Sequence, residues 1–298
     1  MRKLIVLAII GLVAQLVDGS LGMAYGVTSS SLLLLFGIAP AVASASVHMA
    51  EVVTTAASGV SHIRFGNVDK SLVKKLIVPG SIGAFIGAVF LGSIPGDLIK
   101  PYVSFFLLGL GCFVIYRFLF RANNVQPDTR KAKINKKFYI PLGFIAGFFD
   151  ATGGGGWGPI TTPVLLSKNK METRRVIGTV DTSEFAIAVS ATVGFLFSIG
   201  WGQIHWQWVI ALMIGGIIAA PIAAWLVKII PSHMLGILVG GMIVMTNVRT
   251  LLNTAEFSPS ATMMTYAALF VLWVIGIFYT ARNIRKLKNC KQASQIEL

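Results

Sequence analysis

The stretch GFFDATGGGGWGPITTP, residues 147–163, sets an aspartate and four consecutive glycines between two apolar runs. In a soluble protein, a glycine-rich turn of this kind cradles a phosphate group where it follows a β-strand and opens a helix within a βαβ unit. The apolar runs on either side contain no such unit. The stretch therefore predicts a turn between two apolar helices and not a nucleotide-binding loop.

The composition places this turn in a membrane protein. Of 298 residues, 55% are apolar and 12% are charged, and the mean hydropathy is +0.78, which excludes an ordinary water-soluble domain. Runs long enough to cross a hydrocarbon core of roughly 30 Å, or about 20 helical residues, recur along the chain. The predicted spans are 42–63, 72–94, 97–119, 176–200, 205–229, 233–252 and 261–281. The N-terminal apolar run resembles a signal peptide, but we expect it to stay as structure because an equivalent segment recurs at 138–150.

The two runs that flank the turn are too short to span. Residues 138–149 and 157–167 each provide about 11 or 12 residues, or roughly 18 Å of helix at 1.5 Å per residue. We expect two half-helices that dip into the membrane and return, or that meet near its midplane. Irregular backbone at that depth is tolerated only inside protein or beside water, so the glycines are expected to line a cavity.

The second half-helix, which begins near Gly158–Pro159, would point its free N–H groups and its positive dipole end at that cavity. This geometry predicts an anion site. The alternative is that the glycines serve only close packing between helices. Replacement of Gly155 by valine separates the two interpretations, since an anion site predicts a folded variant that does not transport.

The chain also contains an internal repeat. The segment that starts at residue 11 aligns with the segment that starts at residue 143. The alignment pairs Asp18 with Asp150, Gly22 with Gly154, Tyr25 with Trp157, Gly26 with Gly158, His48 with Asp181 and Glu51 with Glu184. The predicted organisation is a first membrane repeat at 1–120, a cytoplasmic linker at 121–137, a second membrane repeat at 138–253, and a final transmembrane helix with a basic cytoplasmic tail at 254–298.

The basic residues predict how the two halves are oriented. A formal charge of +14 could indicate nucleic-acid binding, but Lys and Arg lie in short loops, the linker and the tail, where they set membrane topology. They collect on one side if the N-terminus is outside, the C-terminus is cytoplasmic and the second half is inverted. We therefore predict an all-α polytopic membrane protein with an inverted-topology repeat, each half a re-entrant broken-helix hairpin plus three transmembrane helices, with one extra C-terminal helix.

Polar residues inside apolar segments supply the candidate site, because charges in a membrane are unfavourable and usually functional. The predicted substrate-binding residues are Asp18, Gly19, Ser20, Gly22, Gly26, Asp150, Thr152, Gly153, Gly154, Gly155, Gly156, Trp157 and Gly158. The predicted proton-coupling or gating residues are His48, Glu51, Asp181 and Glu184. Asp18 and Asp150 have a second interpretation, in which they only accept hydrogen bonds from the amides of the turns. The other histidines, His62, His205 and His233, are expected at span ends.

The expected partners are a small anion, protons and the lipid bilayer, with no nucleic acid. No cofactor and no metal site are predicted, since only two cysteines occur and no metal-binding motif is present. A nucleophile paired with a base is also missing, so an enzyme is not expected. A passive anion channel and a membrane-embedded enzyme stay open as alternatives to a transporter.

Several of these segments resemble those of a known family. The segments DGSLGMAYG and DATGGGGWGPITTP, the GNVD sequence at 66–69 and the basic linker are similar to those of the sulfite exporter TauE/SafE family. The resemblance implies export of sulfite, sulfoacetate or related organic anions across a bacterial cytoplasmic membrane. The first copy departs from the family pattern, because Leu21, Met23, Ala24 and Ser31 replace its glycines and proline. The substrate is therefore expected to depend more on the second copy.

Overall fold

A computed structural model of the protein describes residues 2–121, 136–167, 171–226 and 232–296, and across these residues the chain is helical, without strands. Most of the predicted linker lies outside this part, as do Lys168, Lys170 and Lys228 of the predicted inner loops. The α-helices are α1 Arg2–Leu21, α2 Tyr25–Leu35, α3 Pro40–Arg64, α4 Lys70–Gly92, α5 Gly96–Tyr116, α6 Lys136–Gly153, α7 Trp157–Ser167, α8 Thr173–Ser198, α9 Trp206–Leu226, α10 Ser232–Thr254 and α11 Pro259–Ile296.

Seven helices within the described ranges are long and apolar enough to cross a membrane. The prediction of an all-α polytopic membrane protein is thus confirmed, and six of the seven coincide with predicted spans. The seventh differs. The predicted span 42–63 lies in α3, which has sufficient length but is too polar to count among them, whereas Lys3–Leu21 in α1 qualifies.

The helices that precede the two breaks are longer than the predicted half-helices. Helix α6 has 18 residues and α1 has 20, whereas α2 and α7 have 11 each. Helix α6 continues through the first glycine, and Gly153 packs against the Phe106 ring of α5 at a place where a Cβ would collide with it. Gly153 therefore serves helix packing, and the turn itself shrinks to residues 154–156.

Helices α3 and α8 pack against each other at the centre of the molecule. Around them, helices of the first half pack against helices of the second half. Helix α1 packs on α9 and α6 packs on α4. Small residues make these contacts close, since a Cβ on Gly83 would collide with the Phe144 carbonyl oxygen and one on Gly215 with that of Ala8. The outer faces of α4, α5, α9 and α11 expose large apolar side chains, as expected for a surface in lipid.

Candidate functional site

The break between α1 and α2 and the break between α6 and α7 cross at the centre of the fold, and hydrogen bonds join these two helix breaks. Gly22 and Gly154, which the repeat aligns, adopt φ values of 67° and 68°, a conformation that glycine reaches without strain. The Ser30 hydroxyl of α2 donates a hydrogen bond of 2.6 Å to the Gly154 carbonyl oxygen. In return, the Thr162 hydroxyl of α7 donates one of 2.6 Å to the Gly22 carbonyl oxygen. Ser30 and Thr162 are also aligned, so the two turns are joined by one hydrogen bond in each direction.

Glycines allow the two backbones to touch where the turns cross. A Cβ on Gly26 would lie 2.6 Å from the Gly155 Cα and 3.1 Å from Glu51 Oε1. Gly155 adopts φ 150°, and a Cβ there would collide with the Val27 nitrogen. In this conformation the glycines pack against backbone, and the linings of the cavity beside Pro101 and of the cavity beside Phe90 include none of residues 154–158. A valine at position 155 would displace backbone, which corrects the expectation that such a variant folds normally.

The aspartate of each turn caps the helix that follows it. Asp150 Oδ1 accepts hydrogen bonds from the Gly156 and Trp157 amides, at 2.7 and 2.8 Å. Asp18 Oδ1 accepts one longer bond, of 3.4 Å, from the Tyr25 amide. A carboxylate at a helix N-terminus is stabilised by the free N–H groups and by the helix dipole. The first amides of α7, which the sequence offers to an anion, thus bind Asp150.

The acidic and histidine residues form two buried sets. In the first, His48 Nδ1 lies 2.8 Å from Glu51 Oε2 and 3.8 Å from Asp150 Oδ2. The Nε2 atom of His48 lies 3.3 Å from the Asp150 carbonyl oxygen. This first set brings two predicted coupling residues of α3 together with the capping aspartate of the other half.

The second set contains Asp18, Asp181 and Glu184, and one side-chain oxygen of each lies within 4.8 Å of the others. It is the counterpart of the first set, because the repeat aligns Asp181 with His48, Glu184 with Glu51 and Asp18 with Asp150. Each set takes two residues from a central helix and an aspartate from the opposite half. All four predicted coupling or gating residues therefore lie in these sets, and all are buried.

The sets place five carboxyl groups inside the fold, and the buried basic side chains of the described residues are His48 and His62. Uncompensated carboxylates are strongly unfavourable in such surroundings. His48 Nδ1 and Glu51 Oε2, at 2.8 Å, are close enough to form an ion pair when His48 carries a second proton. The ligand atoms of each set also lie close enough together to hold a metal ion. The proton-coupling role of these residues and the expectation of no metal site both stay predictions.

His62 lies in the last turn of α3, at a helix end as predicted, but it is buried and not interfacial. The Asn67 side-chain amide lies 3.2 Å from Nδ1, and Nε2 lies 3.1 Å from the Gly19 carbonyl oxygen and 3.8 Å from Asp181 Oδ2. A signal for this site is present in the sequence, since Glu51, Thr54, Thr55, Ser58 and His62 recur at helical spacing along one face of α3. His205 is exposed and its ring lies 4.1 Å from that of Trp208, and the side chain of His233 lies outside the described residues.

The hydroxyl groups separate into bound and available donors. Ser20 and Thr152 donate to carbonyl oxygens of their own helices, at 2.6 and 2.9 Å, and Thr161 does the same at 2.5 Å. These groups are not available to a ligand. The hydroxyls of Thr28 and Ser29 in the first turns of α2 are buried and have no hydrogen-bond partner in the described part of the chain. Among the hydroxyls in the first turns of α2 and α7, those without a partner thus lie in the first copy. The expectation that the second copy dominates substrate binding stays a prediction.

Thr152 and Gly153 line a cavity, but not at the crossing. This cavity has a volume of about 170 Å³ and apolar walls that include Phe90, Phe106 and Phe148. Because its walls are apolar, we do not assign it to a charged ligand.

Comparison with known proteins places these features in context. A family described as "Sulfite exporter TauE/SafE" matches residues 7–250, which include both turns and both sets. The chain is 58% identical over 298 residues to a protein of Bacillus subtilis (strain 168) named "Probable membrane transporter protein YtnM", and the match covers 100% of this chain and 99% of that protein. No solved structure matches the chain.

Proposed function

Because the chain belongs to the sulfite exporter TauE/SafE family and is a multi-pass membrane transporter, we propose that it moves small sulfur-containing or organic anions, such as sulfite or sulfoacetate, by proton-coupled alternating access. The observation that carries this proposal is the crossing of two buried helix breaks beside two sets of carboxyl groups. Broken helices that meet at a repeat interface commonly form the substrate and coupling sites of secondary transporters.

An inverted repeat is part of the proposal, and the exchange of contacts between the halves supports it. Helix α1 packs on α9 as its counterpart α6 packs on α4. Ser30 of the first half likewise donates to the second half, and Thr162 of the second half donates to the first. Each set also takes its aspartate from the opposite half. A pseudo-twofold axis between the halves explains all three exchanges, and we place this axis in the membrane plane because the basic loops then collect on one side. Rocking of one half against the other around that axis would open the crossing to each side in turn.

The orientation follows from the loops. We place the α3–α4 turn, which carries Arg64 and Lys70, and the basic C-terminal tail in the cytoplasm of a bacterial cell, with the N-terminus outside. The exposed rings of Trp201 and of Trp206, the first residue of α9, stack with their centroids 5.3 Å apart, which suits an aromatic belt at the outer interface. Labelling of single cysteines at residues 1 and 290 from each side of the membrane tests this orientation.

The anion is proposed to bind at the first turns of α2. This end carries the buried hydroxyls of Thr28 and Ser29 that have no protein partner in the described ranges. Asp18 approaches only the Tyr25 amide there, at 3.4 Å, so this helix end is less occupied than that of α7. Hydroxyl donors at a helix N-terminus favour a sulfonate or sulfite oxygen for the same reason that they favour phosphate.

The position of this end determines how protons and the anion are coupled. Glu51 Oε1 of α3 lies close to Gly26, which is in the first turn of α2 near Thr28. An ionised Glu51 would therefore repel an anion bound there. Protonation of the carboxyl groups removes the repulsion, and therefore anion and proton bind together. The protein then moves both in one direction, which is outward when the anion accumulates in the cell.

Counterflow in proteoliposomes tests the transporter. Vesicles loaded with unlabelled sulfoacetate are expected to take up external labelled sulfoacetate transiently above its equilibrium level, because one substrate molecule returns the carrier for another. Replacement of Thr28 by valine, or of Ser29 by alanine, is expected to raise the half-saturating concentration about tenfold, the effect of one lost hydrogen bond to a charged ligand.

Thr161→Val is the matched control, since Thr161 aligns with Ser29 but donates to its own helix, and its half-saturating concentration should stay near that of the unaltered protein. A channel would equilibrate the label without a transient excess. That result would reject the proposed transporter, whereas equal effects of the Thr28 and Thr161 variants would reject only the assignment of the anion site.

A further inference from the structure

The polar face of α3 has no counterpart on α8. Beyond Glu51, α3 continues with Thr54, Thr55, Ser58 and His62, all buried. The alignment that pairs His48 with Asp181 places Ile187, Ala188, Ala191 and Phe195 at these four positions of α8, and they are buried too. In a chain built from two related halves, a buried polar face that is present in one half and absent from the other indicates that the two ends of the site differ in function.

The polar face leads from the carboxyl groups to the α3–α4 turn. Ser58 lies beside the Asp181 carboxyl group, and His62 is one turn further along α3. Asn67 follows the exposed residues 64–66 but is itself buried. At the other end, Phe195 takes the position of His62, and its ring lies 6.1 Å from that of His48. The acidic set is therefore connected by polar side chains to the α3–α4 end, while an aromatic ring covers the opposite end.

The hydrogen bonds of His62 define its protonation pattern. The Asn67 amide nitrogen can only donate, so Nδ1 accepts, and the Gly19 carbonyl oxygen can only accept, so Nε2 carries the hydrogen. Nδ1 thus faces the α3–α4 turn, and Nε2 faces Asp181 Oδ2 at 3.8 Å. The ring lies between the turn and the acidic set with one nitrogen towards each.

We propose that His62 is the proton relay between the α3–α4 end of the molecule and the Asp18, Asp181 and Glu184 set, an inference that rests on the proposed proton-coupled function. When the Asn67 amide turns away, Nδ1 takes up a proton. Nε2 then releases its own proton to Asp181, so the charge of His62 is restored and the acidic set gains one proton.

Few charged groups near His62 could take its proton in place of Asp181. Asp181 of α8 faces His62 directly, and Asp18 of α1 lies next to Asp181. Arg64 is exposed two residues beyond His62. Asp69 is occupied, because its carboxylate accepts from the Ser71 and Leu72 amides.

His62→Gln tests the relay. Glutamine offers a donor and an acceptor of similar reach but takes up no proton. We expect accumulation of labelled sulfoacetate driven by an imposed proton gradient to fall about a hundredfold, the usual effect of removing a proton-transfer group. Counterflow should stay within about twofold of the unaltered protein, because exchange of one anion for another does not need a net proton transfer. His205→Gln, which changes an exposed histidine, is the matched control and should alter neither assay.

Three outcomes would overturn the relay: gradient-driven accumulation that persists in His62→Gln, loss of counterflow together with accumulation, and the same loss in His205→Gln. Loss of both activities would show that His62 supports the structure, and counterflow therefore serves as the test of folding. If the unaltered protein itself shows no counterflow, the proposed function fails and not the assignment of His62.

Discussion

Glu184→Gln is expected to weaken the pH dependence of substrate binding and to lower proton-driven accumulation of sulfoacetate about a hundredfold. In the unaltered protein, the half-saturating concentration in counterflow should rise with pH, since loss of protons leaves carboxylates that repel the anion. Glutamine keeps the size and the neutral charge of the protonated side chain at every pH. The variant should therefore lose the part of the pH dependence that Glu184 contributes, and it should not carry the proton of Glu184.

The position of Glu184 accounts for the size of this effect. Its side chain is buried, and one carboxyl oxygen lies within 4.8 Å of oxygens of Asp18 and Asp181. Its Oε2 atom has no hydrogen-bond partner in the described part of the chain. Each additional charge in this set is opposed by its neighbours, so protonation and binding respond together.

Glu172→Gln is the matched control for this prediction. Glu172 precedes the same helix, its side chain is 52% exposed, and it bonds Arg174 at 2.7 Å. Its replacement should leave the pH profile and the accumulation unchanged, since exposed ion pairs contribute little. If Glu184→Gln kept the pH dependence of the unaltered protein, Glu184 would not carry the coupling proton.

Gly155→Ala is expected to have the largest effect on stability. The new Cβ would collide with the Val27 nitrogen and the Gly26 carbonyl carbon, and the residue would have to keep φ at 150°. Backbone strain and overpacking each reduce the free energy of unfolding by about 1–3 kcal/mol. We expect a clearly lower melting temperature for the detergent-purified variant, together with poor recovery of monodisperse protein.

Gly109→Ala is the control, because a Cβ at this exposed glycine of α5 would meet nothing within 4 Å. Its melting temperature should match that of the unaltered protein. An unchanged melting temperature for Gly155→Ala would contradict the close crossing of the turns. It would also restore the interpretation in which Gly155 faces a cavity and not backbone.

The order of helices could be predicted from the sequence because it depends on length and hydropathy. Each half has a long helix, an 11-residue helix and then three longer helices, as the apolar runs and the repeat indicate. The length of α6 could not be predicted, because a glycine after Asp150 looks like the start of a turn. Only the Phe106 ring on α5 shows that Gly153 continues the helix for packing.

The membership of the two sets was beyond the sequence for a related reason. The repeat aligns His48 with Asp181, and the spacing places Glu51 one turn from His48. Which aspartate joins each set depends on contacts between the halves, and neither spacing nor alignment contains that information. His62 was missed because a histidine near the end of a span is usually interfacial, whereas here Gly19 and Asp181 enclose it.

The most direct test of the central claim is accumulation of labelled sulfoacetate in proteoliposomes with and without an imposed inward proton gradient. Its sulfonate keeps its charge across the pH range used, so leakage through lipid stays low, and protein-free vesicles measure that leakage. We predict saturable accumulation above the equilibrium level that requires the gradient and collapses when a protonophore is added. Flux that rises linearly with concentration and ignores the gradient would contradict proton-coupled alternating access and indicate a passive anion channel.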